Sequence, residues 1–170
     1  RYVACKPNYY IAPTNKDKHG KELWNHHKMV KRTMFNYDGV EGGKTGYTTK
    51  AGGTLVTFAK RGDQELIVVD LCAHGYELYE DTIKMLNYGF NNYKTIAPFK
   101  TMNTVLKDDT YGFLKTGNEL SPYKIPLKHL NDVTVMLEKN QSASKLTYKC
   151  KDNKYIISYD GKQIGSVKLH

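Results

Sequence analysis

The chain has 170 residues, which is long enough for one good hydrophobic core or for two small domains with modest cores. Its 26 lysine and arginine residues outnumber its 17 aspartate and glutamate residues, and the resulting charge of +9 is spread along the sequence. The sequence has no basic tail and no arginine-rich run, so this charge favours a solvated cationic surface over nucleic-acid binding. No apolar run reaches the roughly 18 to 20 residues that span a bilayer.

The first residues read as the end of a helix that Pro7 and Asn8 stop, and the chain does not begin with methionine. We therefore expect a mature, processed or trimmed piece of a protein. The three cysteines, Cys5, Cys72 and Cys150, lie far apart without Cys-x-x-Cys spacing. This spacing suggests neither a metal site nor a redox pair, so no metal and no cofactor are expected.

An antiparallel meander followed by a helix is predicted for residues 1–95. Residues 40–60 read as two strands around a glycine-rich turn, and residues 65–71 read as a third strand that is buried on both faces. The apolar periodicity of residues 77–88 predicts a helix with Gly89 as its C-cap. A helix packed on the sheet is the expected arrangement.

Short alternating segments follow Tyr93 and predict strands that are connected by turns. The Asp160-Gly161 pair is a strong hairpin signal between the last two of them. We therefore divide the chain into residues 1–95 and an all-β domain of residues 96–170, and the predicted fold class is α+β. The predicted strands of the second domain are residues 101–106, 133–137, 146–150, 155–159 and 164–169.

The run EGGKTGYTT at residues 41–49 carries the most chemical information. Lys44 supplies an ammonium group and Thr45 a hydroxyl, and the backbone of Gly46 after them is uncovered. This combination suits an edge strand that holds a ligand carboxylate and pairs with a peptide-like substrate. The alternative is a lysine that guards a solvated strand edge against aggregation. A second Lys-Thr-Gly tripeptide, at residues 115–117, lacks the preceding glycine pair and is predicted to be a turn.

Further segments surround this run in a specific order: WNHHKM at residues 24–29, YDGVEGGKTGYT at 37–48, AGGTLV at 51–56, AKR at 59–61, LIVV at 66–69 and KMLNYGF at 84–90. In this order they resemble the back half of the serine D-alanyl-D-alanine carboxypeptidases, the small penicillin-binding proteins. The resemblance covers residues 9–95, and it implies part of a penicillin-binding and β-lactamase-like antiparallel sheet with its packed helix. Residues 96–170 are similar in position and composition to the family's small all-β domain.

The resemblance also implies a mechanism, in which a serine attacks the terminal D-Ala-D-Ala bond of a peptidoglycan stem peptide and water releases the acyl-enzyme. β-Lactams would bind the same site, and the protein would lie outside the cytoplasm, in the cell wall or at the membrane. Lys44 would add positive charge, and the Thr45 hydroxyl would bind the substrate carboxylate. The backbone at Gly46 and Tyr47 would pair with the substrate, and the Tyr47 N–H would be an oxyanion-hole donor.

Two departures from the family pattern concern the nucleophile and the carboxylate site. Neither Ser-x-x-Lys nor Ser-x-Asn, which the family places before its Lys-Thr-Gly, occurs before Lys44. The spacing Ser-x-x-Lys does occur at residues 142–145, where it is read as a coincidence. Leu78 stands where the family usually has an arginine that helps to bind the carboxylate, with Arg32 and Arg61 as candidates to replace it.

The leading interpretation is a serine-type D-Ala-D-Ala carboxypeptidase whose substrate-binding strand, but not its nucleophile, lies in this chain, so that the chain alone is inactive. The alternatives are a noncatalytic recognition or scaffold protein with the penicillin-binding fold and, less favoured, a β-lactamase. An uncovered apolar sheet face in residues 1–95 predicts either a missing N-terminal half or self-association. The adjacent His26 and His27 are expected to pack or to lie in a loop rather than to bind a metal.

Overall fold

The structure is a computed structural model of the chain, and it describes residues 2–30, 34–99, 111–112, 115–116, 119–120, 125–126, 133–152 and 154–168. The chain divides into two compact units, Arg1–Asn92 and Tyr93–His170. The described part of the first unit contains antiparallel strands and an α-helix, and that of the second contains strands and a 3₁₀ turn. The α+β fold class is therefore confirmed, while the roles assigned to residues 1–95 and 96–170 remain predictions.

The strands of the first unit form two antiparallel sheets in the described residues. A short ribbon pairs β1 (Asn8–Ile11) with β2 (Lys21–Trp24). The strands β3 (Val40–Thr48), β4 (Gly52–Arg61) and β5 (Gln64–Ala73) form a three-stranded sheet with β4 in the centre. Each strand runs antiparallel to its neighbour, so the predicted meander is confirmed.

The core of the first unit lies between one face of this sheet and α1 (Glu77–Asn92). Every second residue of β4 from Leu55 to Ala59 is fully buried, because successive side chains of a strand point to opposite faces. Met29 and Phe35, from the segment between β2 and β3, join the same cluster. α1 contributes a buried stripe at helical spacing, formed by Leu78, Tyr79, Thr82, Leu86 and Phe90.

The prediction that β5 is buried on both faces is wrong. Val68 is buried toward the core, but Ile67, Val69 and Leu71 are 72%, 54% and 67% exposed. The register pairs Val69 with Val56, on the sheet face away from the core. A run of β-branched residues occurs both in strands with one covered face and in strands with two, so the run itself does not distinguish them. We call Val56, Ile67, Val69 and Leu71 the outer sheet face.

The prediction that the helix stops before Gly89 is also wrong. Gly89 lies inside α1, which ends at Asn92. A Cβ atom placed on Gly89 would lie 2.6 Å from Cδ1 of Leu66 in β5. The side chain of Gln64, also in β5, donates a hydrogen bond to the Gly89 carbonyl oxygen at 3.2 Å. The glycine therefore serves the close approach of α1 to β5 and does not act as a cap.

Antiparallel pairing also organises the second unit. Within the described residues its strands are β6 (Tyr93–Ile96), β7 (Tyr111–Gly112), β8 (Lys115–Thr116), β9 (Glu119–Leu120), β10 (Ile125–Pro126), β11 (Val135–Glu138), β12 (Leu146–Lys151), β13 (Lys154–Tyr159) and β14 (Lys162–Lys168). The last three form a three-stranded sheet, and β6 with β11, β7 with β10 and β8 with β9 form two-stranded ones.

Two sequence signals in the second unit have different outcomes. Asp160 and Gly161, between β13 and β14, have φ angles of 50° and 80°, the left-handed geometry that a two-residue hairpin turn requires. Lys115 and Thr116 pair with β9 as a strand, so the predicted turn is wrong for these two residues. A two-residue strand that Gly117 and Asn118 follow resembles a turn in sequence. Gly117 and the predicted strand at 101–106 lie outside the described residues.

We predict that Leu55→Ala lowers the free energy of unfolding by about 2 to 5 kcal/mol, because Leu55 is fully buried in the core. Leu71→Ala is the matched control, since it removes the same side chain from an exposed position, and it should change stability by less than about 0.5 kcal/mol. Urea unfolding followed by circular dichroism measures both variants. Equal costs would contradict the one-sided burial of the sheet.

Candidate functional site

β3 is an edge strand of its sheet, and the start of its free edge is occupied by the chain itself. The Gly43 N–H donates a hydrogen bond to the Ala4 carbonyl oxygen at 3.3 Å, and it therefore points away from β4. Because backbone groups alternate in direction along a strand, the N–H and C=O groups of Thr45 and Tyr47 face the same side as those of Gly43. We call the stretch from Thr45 to Tyr47 the open edge.

The ammonium group of Lys44 reaches the open edge from the other face of the sheet. The register sets Lys44 opposite Val56, which belongs to the outer sheet face. Its Nζ nevertheless donates a hydrogen bond to the Thr45 carbonyl oxygen at 2.6 Å. Lys44 and Tyr47 are exposed, and Thr45 is half-buried. The structure thus brings the predicted binding residues, from Lys44 through Gly46 to Tyr47, together along one accessible stretch of strand.

Glycine is required in this motif because neighbouring atoms approach the strand closely. A Cβ atom placed on Gly43 would overlap the Val56 carbonyl oxygen and would lie 2.6 Å from Cδ2 of His27. One placed on Gly46 would lie 2.5 Å from Oγ1 of Thr54. A side chain at Gly43 would therefore push β3 away from β4 and from His27 beneath it, whereas a side chain at Gly46 would require Thr54 to move.

A buried histidine lies beneath β3. His27 and Thr57 are both fully buried, and His27 Nε2 lies 2.8 Å from Thr57 Oγ1 in a hydrogen bond. Thr57 is the residue of β4 that stands opposite Gly43. Burial lowers the pKa of His27 from 6.5 to about 4, so the imidazole is neutral near pH 7. His26, the preceding residue, is exposed.

Asn25 connects the segment that carries Ala4 to the loop after β2. Its side-chain amide donates hydrogen bonds to the carbonyl oxygens of Ala4 and Lys6, both at 3.1 Å. Its Oδ1 accepts a hydrogen bond from the His27 N–H at 2.9 Å. Sequence reasoning did not include Asn25 or Thr57 among the site residues. The signals that could have found them are the asparagine-containing WNHHKM segment and a threonine among the apolar inward positions of β4.

Leu78 packs into the core at the position where the resembling family usually has an arginine. Its side chain is 8% exposed, and a Cβ atom placed on Gly53 would lie 2.8 Å from its Cδ1. A buried leucine cannot pair with a carboxylate. This position therefore supplies no cation to the open edge.

Of the two arginines that the sequence suggested as replacements, Arg32 lies outside the described residues. Arg61 lies at the far end of β4, five residues from the partner of Lys44, which corresponds to about 16 Å along a strand. Its guanidinium group stacks on the rings of Tyr37 and Phe90, at 4.6 Å from each ring centre. Arg61 Nε also lies 3.6 Å from Oδ2 of Asp38. Arg61 is therefore not a substitute for the missing arginine.

The Ser-x-x-Lys spacing at residues 142–145 lies in the second unit, at a 3₁₀ turn that comprises Ala143–Lys145. Ser142 Oγ caps this turn by accepting a hydrogen bond from the Ser144 N–H at 3.3 Å. The Lys145 ammonium lies 3.1 Å from Oδ2 of Asp160. These contacts account for the serine and the lysine as parts of a turn and favour the coincidental interpretation.

In the described part of the chain, no group of three or more histidine, cysteine, aspartate or glutamate side chains is arranged to hold a metal ion. Cys5 and Cys72 are free thiols. Among the same residues, no helix is long and apolar enough to cross a membrane.

Curated relatives of the chain are D-alanyl-D-alanine carboxypeptidases, although no family model matches it. The chain is 29% identical over 154 residues to D-alanyl-D-alanine carboxypeptidase DacF of Bacillus subtilis strain 168, a match that covers 88% of the chain and 37% of that protein. It is 35% identical over 77 residues to D-alanyl-D-alanine carboxypeptidase DacC of Escherichia coli K12, which covers 45% of the chain and 18% of that protein. The chain thus spans little more than a third of the length of DacF and less of DacC.

The fold is that of solved penicillin-binding proteins. Penicillin-binding protein 5 from Haemophilus influenzae superposes with a TM-score of 0.59 at 21% identity, over 98% of this chain and 48% of that one. Penicillin-binding protein 6B from Escherichia coli superposes with a TM-score of 0.51 at 20% identity, over 97% of this chain and 42% of that one. The homologues and structural neighbours of this chain are D-alanyl-D-alanine carboxypeptidases and penicillin-binding proteins, and it matches the C-terminal part of their length.

Proposed function

We propose that this chain carries the substrate-binding strand of a serine-type D-Ala-D-Ala carboxypeptidase, which trims the stem peptides of cell-wall peptidoglycan outside the cytoplasm. The observation that carries the proposal is the open edge of β3. There a lysine ammonium group, a threonine side chain and outward-facing backbone groups lie on one stretch of strand. Relatives named for this activity support the proposal.

In this proposal the end of the stem peptide binds as an extra strand on the open edge. Backbone hydrogen bonds to Thr45 and Tyr47 hold its extended chain, as in other cases of strand addition. The Lys44 ammonium turns from the Thr45 carbonyl to the terminal carboxylate, which the Thr45 hydroxyl also binds. The Tyr47 N–H stabilises the oxyanion that forms when the scissile carbonyl is attacked, and the loss of such a donor costs about 2.7 to 4 kcal/mol. β-Lactams bind the same edge through their own carboxylate.

The nucleophile of the reaction is proposed to come from outside this chain. The first serine of the sequence is Ser121, well after Lys44, so no serine of the chain stands where the family's motifs do. An attacking serine would expel D-alanine and form an ester, which water then hydrolyses. Without that serine the chain recognises substrate but does not cleave it.

We predict that the chain binds a peptide ending in D-Ala-D-Ala, and that Lys44→Ala or Thr45→Val weakens binding about tenfold, or 1.4 kcal/mol, because each removes a partner of the carboxylate. Lys50→Ala and Thr49→Val are matched controls, since both residues are exposed in the turn that follows β3. Isothermal titration calorimetry measures the affinities.

Two further arms sharpen this experiment. The same peptide with a C-terminal amide should bind the unmodified chain and its Lys44→Ala variant equally weakly, because the carboxylate is gone. Labelled penicillin should leave the intact mass of the chain unchanged. Equal binding by the Lys44→Ala and Lys50→Ala variants would contradict the binding role of the open edge, and a stable penicillin adduct would contradict the absence of a nucleophile.

A noncatalytic recognition or scaffold protein is the second candidate, and the buried Leu78 favours it. This residue leaves the carboxylate without the usual arginine. A β-lactamase is a less favoured third candidate. When the chain is combined with the nucleophile-bearing part of the protein, release of D-alanine identifies the carboxypeptidase and turnover of nitrocefin identifies the β-lactamase. Binding without either product identifies the recognition protein.

The outer sheet face is proposed to be covered, either by a further part of the protein or by a second copy of the chain. Its four apolar residues are exposed side by side next to Lys44, and a contiguous apolar patch of this kind marks an interaction surface. We predict that the isolated chain self-associates in light scattering unless a fragment co-purifies with it. Lys substitutions at Ile67 and Leu71 should reduce the association. A monodisperse 19.5 kDa monomer without any fragment would contradict the proposal.

A further inference from the structure

His27 fills the space beneath the part of β3 that leads into Lys44. Its ring lies so close to Gly43 that a Cβ atom there would come within 2.6 Å of Cδ2 and 2.7 Å of Nε2. On the other side Nε2 is hydrogen-bonded at 2.8 Å to Oγ1 of Thr57, which is fully buried. The imidazole is therefore wedged between the two strands and the core, with no exposed surface of its own.

The same histidine is linked to the free side of β3 through Asn25. The backbone N–H of His27 donates a hydrogen bond to Asn25 Oδ1. The side-chain amide of Asn25 donates in turn to the Ala4 carbonyl oxygen, which also accepts the hydrogen bond from the Gly43 N–H. Gly43 is thus contacted from beneath by the imidazole of His27. At the free edge of β3 it is bonded to Ala4, which Asn25 holds in place. We call Asn25 and His27 the clamp. The clamp therefore supports β3 at the residue immediately before Lys44, directly through the His27 ring and indirectly through Ala4.

The surroundings of the imidazole suit its neutral form. Gly43 and Thr57, which face it from β3 and β4, carry no charge. The titratable group that faces it from α1 is Tyr79, whose ring packs edge-on with the ring centres 6.0 Å apart. The ammonium of the neighbouring Lys28 lies over the ring of Tyr76, 4.0 Å from its centre. His27 Nδ1 is buried and has no hydrogen-bond partner of standard geometry among the described residues, and burial outweighs the one interaction that favours the charged ring, which is with the backbone of His27 itself.

We propose that His27 is a positioning residue for the Lys44-Thr45 edge: its neutral imidazole, wedged between Gly43 and Thr57, holds β3 in place, and proton uptake in acid releases this strand. Proton uptake requires the clamp to open, because burial disfavours the charged ring and its two donating nitrogens reach water only in the opened state. The open edge then loses the support beneath Gly43. The inference concerns the control of this strand and goes beyond the proposed function. Only its consequence for ligand binding depends on that function.

The direction of the pH effect follows from proton linkage. In the opened clamp the imidazole has its ordinary pKa of about 6.5, whereas burial holds it at about 4 in the closed clamp. Well above pH 6.5 both states are neutral and the histidine adds no pH dependence. Between about pH 6.5 and 4 the opened state takes up the proton first, so the closed state becomes less stable as pH falls. From pH 7 to pH 5 the ratio of opened to closed clamp rises about twentyfold.

Hydrogen exchange of the 170-residue chain, without ligand, tests this proposal. The opening equilibrium of β3, corrected for the intrinsic pH dependence of exchange, should rise about twentyfold from pH 7 to pH 5 and should exceed the rise in α1. His27→Gln keeps a side chain that can hydrogen-bond Thr57 but does not titrate, and it should abolish the rise. His26→Gln is the matched control, because it removes the adjacent exposed histidine, and the rise should remain.

An unchanged rise in the His27→Gln variant, or a β3 opening that does not depend on pH in the unmodified chain, would overturn the proposal. If His27→Gln does not fold, long-range ¹H–¹⁵N NMR of the unmodified chain replaces it. The ring of His27 should remain neutral at pH 5.5, and a protonated ring at that pH would also overturn the proposal. Both measurements are independent of ligand binding, so their failure leaves the proposed function untouched, and failure of peptide binding leaves the clamp untouched.

Discussion

The register of β3 on β4 is the constraint on which the rest of the first unit depends. Because Gly43 stands opposite Thr57, the backbone groups of Gly43, Thr45 and Tyr47 point away from β4 while Thr57 points inward to His27. A slip of one residue would exchange the two faces of the strand and would turn its free backbone groups toward β4. This register requires a glycine at position 43, since the space that a Cβ would need is filled by His27 and the Val56 carbonyl.

The same register sets the proposed binding residues beside the exposed outer sheet face. It sets Lys44 on the face that carries Val56 and Val69, while the ammonium itself curls back to the Thr45 carbonyl at the edge. The Lys44 ammonium therefore lies between an exposed apolar face and an open backbone edge. This arrangement fits the proposal that the chain supplies the recognition groups and that another part of the protein supplies the nucleophile.

The sequence was sufficient to predict the meander, the helix and the motif strand, because these depend on local periodicity and on a specific series of residues. It was not sufficient to predict which face of β5 is covered, because the run from Leu66 to Leu71 is the same whether or not another layer lies on it. Gly89 was read as a cap because glycine ends many helices, and its contact with Leu66 becomes evident only when the helix lies on the sheet. The partnership of His27 and Thr57, thirty residues apart, has no local signature.

NMR titration of the ¹⁵N-labelled chain with a peptide ending in D-Ala-D-Ala tests the central claim most directly, since it reports each backbone amide separately. If β3 pairs with substrate, the amide signals of Thr45 and Tyr47 shift in a saturable way, whereas the Gly43 amide, already bonded to Ala4, and the amides of β5 change little. Saturable shifts centred on the β1–β2 ribbon or on β5, with Thr45 and Tyr47 unchanged, would contradict the account.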